Sequence, residues 1–165
     1  MSQTVAVIHS ADRPDLVEAS VEMVWSEWGQ GQPPEERQRW LDIALRDRNR
    51  DGVPTGFFAL GEHRSLLGVV GLHEFDIEAR RDRSPWLCGL FVRADVRGHG
   101  IGHRLVQRLE DFATKSRISR VWVFTDRAPG FYRSCGWTEV ERLPAERDHG
   151  PGVLFMRDRL SGYVE

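Results

Sequence analysis

Three things are scarce in this sequence. Of 23 basic residues only Lys115 is a lysine, cysteine occurs twice, and the two charge signs nearly cancel to a net −2. Cys88 and Cys135 cannot build a disulfide framework, so the fold has to be held by its core. A balance this even supplies no field to draw the chain to nucleic acid or an anionic lipid surface, and neither partner is expected. The preference for arginine reads as a coding bias rather than as a binding function. Long apolar stretches are missing too: no uncharged run approaches the roughly 18 residues of a membrane span. Met1-Ser2-Gln3-Thr4-Val5 has neither the basic start nor the apolar stretch of a signal peptide. These absences lead to the expectation of a soluble cytoplasmic protein, a monomer or a homodimer.

What is present describes an ordinary globular chain. Its 165 residues are 40% apolar, 10% aromatic and 29% charged, which excludes intrinsic disorder, collagen-like repeats and coiled coil. At this size folding buries about 68–70% of the surface of the unfolded chain. With no repeat, low-complexity tract or linker, a single domain over residues 1–165 is expected.

Periodicity places the elements. Val5 to Ile8 reads as a strand. Leu16, Val17, Val21, Val24, Trp25 and Trp28 recur at helical spacing, with Asp12 or Asp15 as a cap and Gly29 as a stop. The three tryptophans 25, 28 and 40 share that spacing, which assigns them to core packing rather than to a ligand cage. Pro34 is placed to open a second helix, with Trp40, Leu41, Ala44 and Leu45 on one stripe. Gly56–Leu60 and Leu66–Leu72 form a hairpin around Gly61–Arg64. Trp86–Val92, nearly all apolar, predicts a strand buried on both faces. A helix follows with Ile101, Leu105, Leu109 and Phe112 inward. Then come a strand at Val121–Phe124, a short helix over 128–135 ended by Gly136, and strands at 137–140 and 153–156.

The chemistry is concentrated where Trp86–Val92 runs through Arg97-Gly98-His99-Gly100-Ile101-Gly102 into the helix. Alternating glycines remove Cβ atoms where a ligand must come close, the first turn of a helix offers unpaired N–H groups, and Arg97 adds a permanent cation. Together they make a seat for a pyrophosphate. Other phosphate and metal motifs fail on spacing. No third glycine completes Gly-x-Gly-x-x-Gly, the one lysine is too far downstream for a P-loop, and His99 is followed by Gly100 rather than by the glutamate of His-Glu-x-x-His. No metal is expected.

These residues resemble a known family. Arg97 to Gly102 matches the Arg/Gln-x-x-Gly-x-Gly/Ala signature of the GNAT superfamily of acyl-CoA-dependent N-acyltransferases. Leu90-Phe91-Val92 fits the preceding strand, Phe124-Thr125 the end of the next, and Phe131-Tyr132-Arg133-Ser134-Cys135-Gly136-Trp137 the family's Phe-Tyr-x-x-x-Gly-aromatic ending. The match extends from about Pro85 to Val140, and Ala94 departs from it where many members carry proline. The resemblance implies an α/β (mixed α+β) fold, with a mostly antiparallel sheet of about six to seven strands, a splayed parallel pair and about four helices. It also implies acetyl transfer from acetyl-CoA to a primary amine of a small molecule or peptide by direct attack. The alternatives are transfer of another acyl group, or a regulatory module that binds acyl-CoA without turnover.

By the same resemblance, Leu90, Phe91, Val92 and Thr125 line the pantetheine arm. Arg97, Gly98, His99, Gly100, Ile101 and Gly102 hold the pyrophosphate, and Tyr132 faces the departing sulfur. With a thiol near ~8.5 and a phenol near ~10, complete proton transfer from Tyr132 runs uphill by roughly 2 kcal/mol, so hydrogen bonding is the better description of its role. His73, Glu74, Asp76 and His149 are all candidates to take the proton of the amine. The apolar surroundings of Cys88 predict an inert thiol, and no nearby histidine activates Cys135. The loops Gly29–Pro34, Asp76–Ser84 and Leu143–Gly152 are expected to border the acceptor entrance.

Overall fold

The computed structural model describes residues 4–158. Met1–Gln3 of the N-terminal stretch and the last seven residues of the expected domain lie outside the described residues. Seven strands form one sheet in the order β1-β2-β3-β4-β5-β7-β6. They are β1 (Ala6–His9), β2 (Thr55–Leu60), β3 (Leu66–His73), β4 (Trp86–Val92), β5 (Arg120–Thr125), β6 (Thr138–Leu143) and β7 (Gly152–Asp158). All neighbours run antiparallel except β4 and β5. Four helices flank the sheet: α1 (Val17–Trp28), α2 (Pro34–Ala44), α3 (Ile101–Lys115) and α4 (Pro129–Ser134). No helix among the described residues is long and apolar enough to cross a membrane.

Alternation along the strands divides the core between two faces. Phe57, Val70, Leu72 and Leu87 meet Leu105, Leu109 and Phe112 of α3 on one face. The adjacent Phe58, with Leu60 and Leu66, packs on Val17 of α1 and Leu41 of α2 on the other. The inner stripe of α3 is buried as its spacing predicts. The start of α1 differs from expectation. Two short 3-10 turns at Ser10–Asp12 and Pro14–Leu16 lead into the helix, and neither aspartate caps it. Asp15 binds Arg13 and Asp12 binds Arg50 instead. Gly29 does end α1, but in a right-handed conformation (φ −83°). Glycine is required there because a Cβ would lie 2.2 Å from the Trp25 ring.

The tryptophans divide. Trp25 and Trp40 stack edge to face at 5.0 Å and join α1 to α2. Trp28 is not core: it is 37% exposed and stands edge-on to Phe91 at 5.3 Å.

Candidate active site

β4 is not buried on both faces along its length. Trp86 and Leu87 are, but Gly89 is exposed and Cys88 and Leu90 are half-buried. The β3–β4 register explains this. Val69 faces Phe91 while Gly71 faces Cys88, so Gly89 and Leu90 together oppose Val70. Gly89, at φ +60°, takes the conformation such a bulge requires. β4 bends away, and its parallel pairing with β5 is reduced to Trp86↔Trp122. Beyond that pair the strands splay, and their unpaired main-chain groups face an open cleft of about 1230 Å³.

One end of the cleft is main chain. Gly98 and Gly100 sit at φ +81° and +80°, and no protein atom lies within 4 Å of where a Cβ would stand. Gly100 caps α3, whose first bond runs from Arg104 N–H to the Gly100 carbonyl. The amides of Ile101, Gly102 and His103 therefore find no partner within the helix. Gly102 serves a different purpose from its neighbours: a Cβ there would lie 3.2 Å from Phe131, so it lets α4 close on α3. Arg97 lies over the Phe91 ring, donates to the Val92 carbonyl at 2.7 Å and approaches Glu27 at 3.8 Å. Open glycines, free amides and the Arg97 and Arg127 cations on the lining fit a pyrophosphate.

The other end is made of side chains: Asp76 and Ile77 after β3, Cys88 on β4, Phe124 on β5, and Asp148 and His149 before β7. By surface area Asp76 is exposed, but that surface faces the cleft, whose crowded walls push its carboxyl up to about 6. Burial is the main cause; the nearby Asp148 raises it further, and His73, His149 and a hydrogen bond with Cys88 act against it. Asp148 accepts from the Glu78 amide at 3.1 Å. His149 stacks on Phe124 at 4.5 Å and donates from Nδ1 to the Gly150 carbonyl, while Nε2 lies 4.0 Å from Asp148.

Tyr132 lies between the two ends. It is 5% exposed, packed on Phe131, Trp137 and Phe155, with no hydrogen-bond partner for its hydroxyl among the described residues. Burial foremost, then the neighbouring Cys135, Cys88 and Asp76, push its phenol well above the ordinary range, so it stays protonated. Trp137 fixes the segment by donating to the buried Glu110 of α3 at 2.9 Å. Burial, with Asp76 and Asp47 nearby, pushes the Cys88 thiol far up and keeps it from being a nucleophile. Burial raises Cys135 as well.

Of the residues singled out from sequence, Leu90, Val92, Arg97, Gly98, Gly100, Ile101, Gly102, Thr125 and Tyr132 line the cleft. Thr125 also caps α4 by accepting from Ala128 N–H at 3.0 Å. Phe91 and His99 do not line it: Phe91 turns to Trp28, and the His99 ring folds back on the Val96 and Arg97 carbonyls. Among the candidate bases Asp76 and His149 reach the cleft, Glu74 is exposed away from it, and His73 binds Asp47 behind Asp76. Sequence reasoning missed Glu27, Trp28, Cys88 and Gly89 on the lining and the role of Asp148. Gly89 carried a usable signal, since a lone glycine within an apolar strand marks a bulge.

The model of the acetyltransferase (GNAT) family matches residues 18–137. The chain belongs to that family. An amino-acid acetyltransferase of Mycobacterium tuberculosis (strain ATCC 25618 / H37Rv) is 36% identical over 91 residues, which cover 53% of this chain. The match takes in 49% of that relative, so the chain spans about half the length of the curated protein it resembles. Among solved structures, a GNAT-family acetyltransferase of Staphylococcus aureus Mu50 superposes with a TM-score of 0.71 at 18% identity, covering 94% of this chain and 99% of that one. An aminoglycoside 6′-N-acetyltransferase complexed with coenzyme A gives 0.71 at 14% identity, covering 94% and 96%. These likenesses show the GNAT fold, and the sheet described above has the one parallel pair that the family resemblance implies.

Proposed function

We propose that this protein transfers the acetyl group of acetyl-CoA to a primary amine, with donor and acceptor bound side by side and no acyl-enzyme. The observation that carries this reading is the splay of β4 from β5, which leads from the glycine turn before α3 to the unpaired hydroxyl of Tyr132. The amides from Gly98 to His103, with Arg97, hold the pyrophosphate. The open main chain of Leu90, Phe91 and Val92 pairs with the amides of the pantetheine arm, and one N–H of that strand polarises the thioester carbonyl. Phe91 and His99 take part through their main chains only.

The reaction exchanges the C–S bond of the thioester for a C–N bond. An alkylammonium near ~10.4 must first lose a proton, at a cost of about 4.6 kcal/mol at pH 7. Asp76 takes that proton, directly or through water. The nitrogen loses a second proton once it is bonded to the carbonyl carbon, and this one ends on the departing sulfur. Tyr132 donates a hydrogen bond to the sulfur as the C–S bond breaks. Because burial makes the phenol a weaker acid, Tyr132 does not surrender its proton outright. The products are the amide, the free thiol and one proton per ammonium consumed.

The test is thiol release from acetyl-CoA across a panel of amines, beside calorimetric titration with acetyl-CoA. Amino acids belong in the panel because the curated relative acts in that class by its name. Saturable binding with release for at least one amine is expected. Binding without release for any amine would replace the transferase with a binding module.

A further inference from the structure

The loop before β7 sets two hydrogen-bond acceptors side by side with no donor between them. The His149 side chain is 6% exposed and lies on the cleft wall, stacked on Phe124. Its Nδ1 is 2.7 Å from the Gly150 carbonyl, which can only accept, so the hydrogen of the neutral ring sits on Nδ1 and Nε2 is a bare lone pair. That Nε2 is buried and has no hydrogen-bond partner. Facing it at 4.0 Å is Oδ1 of Asp148, whose Oδ2 accepts from the Glu78 amide. A main-chain bond of 2.8 Å from Glu146 N–H to the His149 carbonyl closes the loop and holds the two together. Asp148, 34% exposed, is the open side of the pair. A lone pair buried without a donor is costly, and a carboxylate beside it raises the cost. A nitrogen standing off the line between them reaches both, since two hydrogen bonds of about 2.9 Å span well over the gap.

The charges around the pair decide what that nitrogen belongs to. The arginines on the cleft wall, Arg97 and Arg127, come from the turns before α3 and α4. Those of the β3–β4 loop are engaged elsewhere: Arg80 and Arg83 bind Glu141, and Arg81 binds Glu78. Arg147, next to Asp148, is exposed and does not line the cleft. With Asp76 on the same wall, this end offers carboxylates and a lone pair, and a carboxylate of the acceptor finds no cation there among the described residues. No cluster of three His, Cys, Asp or Glu among the described residues could hold a metal ion instead. We propose that Asp148 and His149 seat a second cationic group of the acceptor, which makes the substrates small di- and polyamines rather than amino acids. The inference rests on the transfer proposed above and names its acceptor class. One hydrogen of the far ammonium goes to Asp148 Oδ1 and another to His149 Nε2, while the near amine is the one that attacks. Water supplies two hydrogens as well, but without the charge that makes such bonds to a carboxylate strong.

The test compares putrescine, butylamine and γ-aminobutyrate, which share one chain length and carry at the far end a cation, no charge and an anion. In thiol release by the full chain, kcat/KM for putrescine should exceed that for butylamine by about tenfold or more, with γ-aminobutyrate below both. Asp148→Asn can still accept from the Glu78 amide, and the amide of His149→Asn can replace Nδ1 toward Gly150 but not Nε2. Each should cut the ratio of putrescine to butylamine by about tenfold, through KM rather than kcat, a split that a merely structural role would not give. Equal kcat/KM for the two amines in the wild type, or a preference that survives both substitutions, overturns the seat. Calorimetry on the chain loaded with coenzyme A reads the seat without turnover: putrescine should bind, and Asp148→Asn should weaken it by about tenfold. Putrescine that does not bind, or binds the variant equally well, overturns the seat even where transfer is seen. Thiol release from no amine at all overturns the transferase, while putrescine binding that depends on Asp148 upholds the seat on its own.

Discussion

The two ends of the cleft are made of different material. At the α3 end the ligand-facing groups are main-chain amides, oriented by two left-handed glycines and a helix start, and no side chain has to move to present them. At the Asp76 end they are side chains from four separate segments, held by single hydrogen bonds such as that from Glu78 N–H to Asp148. Main chain recognises what is common to a class, here the diphosphate of the proposed donor, and tolerates changes of side chain. Side chains recognise what distinguishes one acceptor from another, and each can be exchanged singly. That division suits the transferase proposed above, with one donor and a choice of acceptors.

The sharpest way to divide the two ends is at their meeting point. Tyr132→Phe is expected to lower turnover by one to three orders of magnitude with acetyl-CoA affinity within about twofold, measured by steady-state kinetics beside calorimetry. Unchanged turnover would remove Tyr132 from the chemistry. At the main-chain end, Arg97→Glu should weaken acetyl-CoA binding by about tenfold or more while leaving the acceptor KM alone. Equal loss at both substrates would mean that the ends are not independent.

At the side-chain end, Asp76→Asn should remove the acidic limb of the pH–rate profile. The sign follows from the role: the carboxyl must be ionised to accept a proton, and it sits near about 6, so wild-type activity falls as pH drops through that value. A limb that survives the substitution belongs to another group. The smallest effect is a control on the scaffold. Gly29→Ala places a methyl in the Trp25 ring and should cost roughly 1–3 kcal/mol of unfolding free energy, while Gly31→Ala, in open space but at φ +81°, should cost less. Denaturant titration separates them, and equal losses would show that the indole moves aside.

The same contrast decides what could be read before the structure was known. The α3 end is contiguous in sequence: glycines at 98, 100 and 102 and the apolar stripe of the helix announce turn, cap and buried face together. The Asp76 end is assembled from residues up to 73 positions apart, Asp76 to His149, and nothing local to either brings them together. Both phenylalanines next to the motifs show a second limit. Phe91 and Phe131 are equally apolar, but the bulge at Gly89 turns one toward α1, while the other closes on Gly102. Sequence periodicity does not report a one-residue slip, and that slip reversed the expectation for the middle of β4.

That slip also bears on speed. A strand kept apart from its neighbour by an additional residue stays apart whether or not anything is bound, since closing the gap would mean re-registering the whole β3–β4 ladder. On the proposed function, entry of the thioester should therefore need no hinge and no flap. Its association should be a simple collision, linear in concentration well past the range where an opening step would level it off.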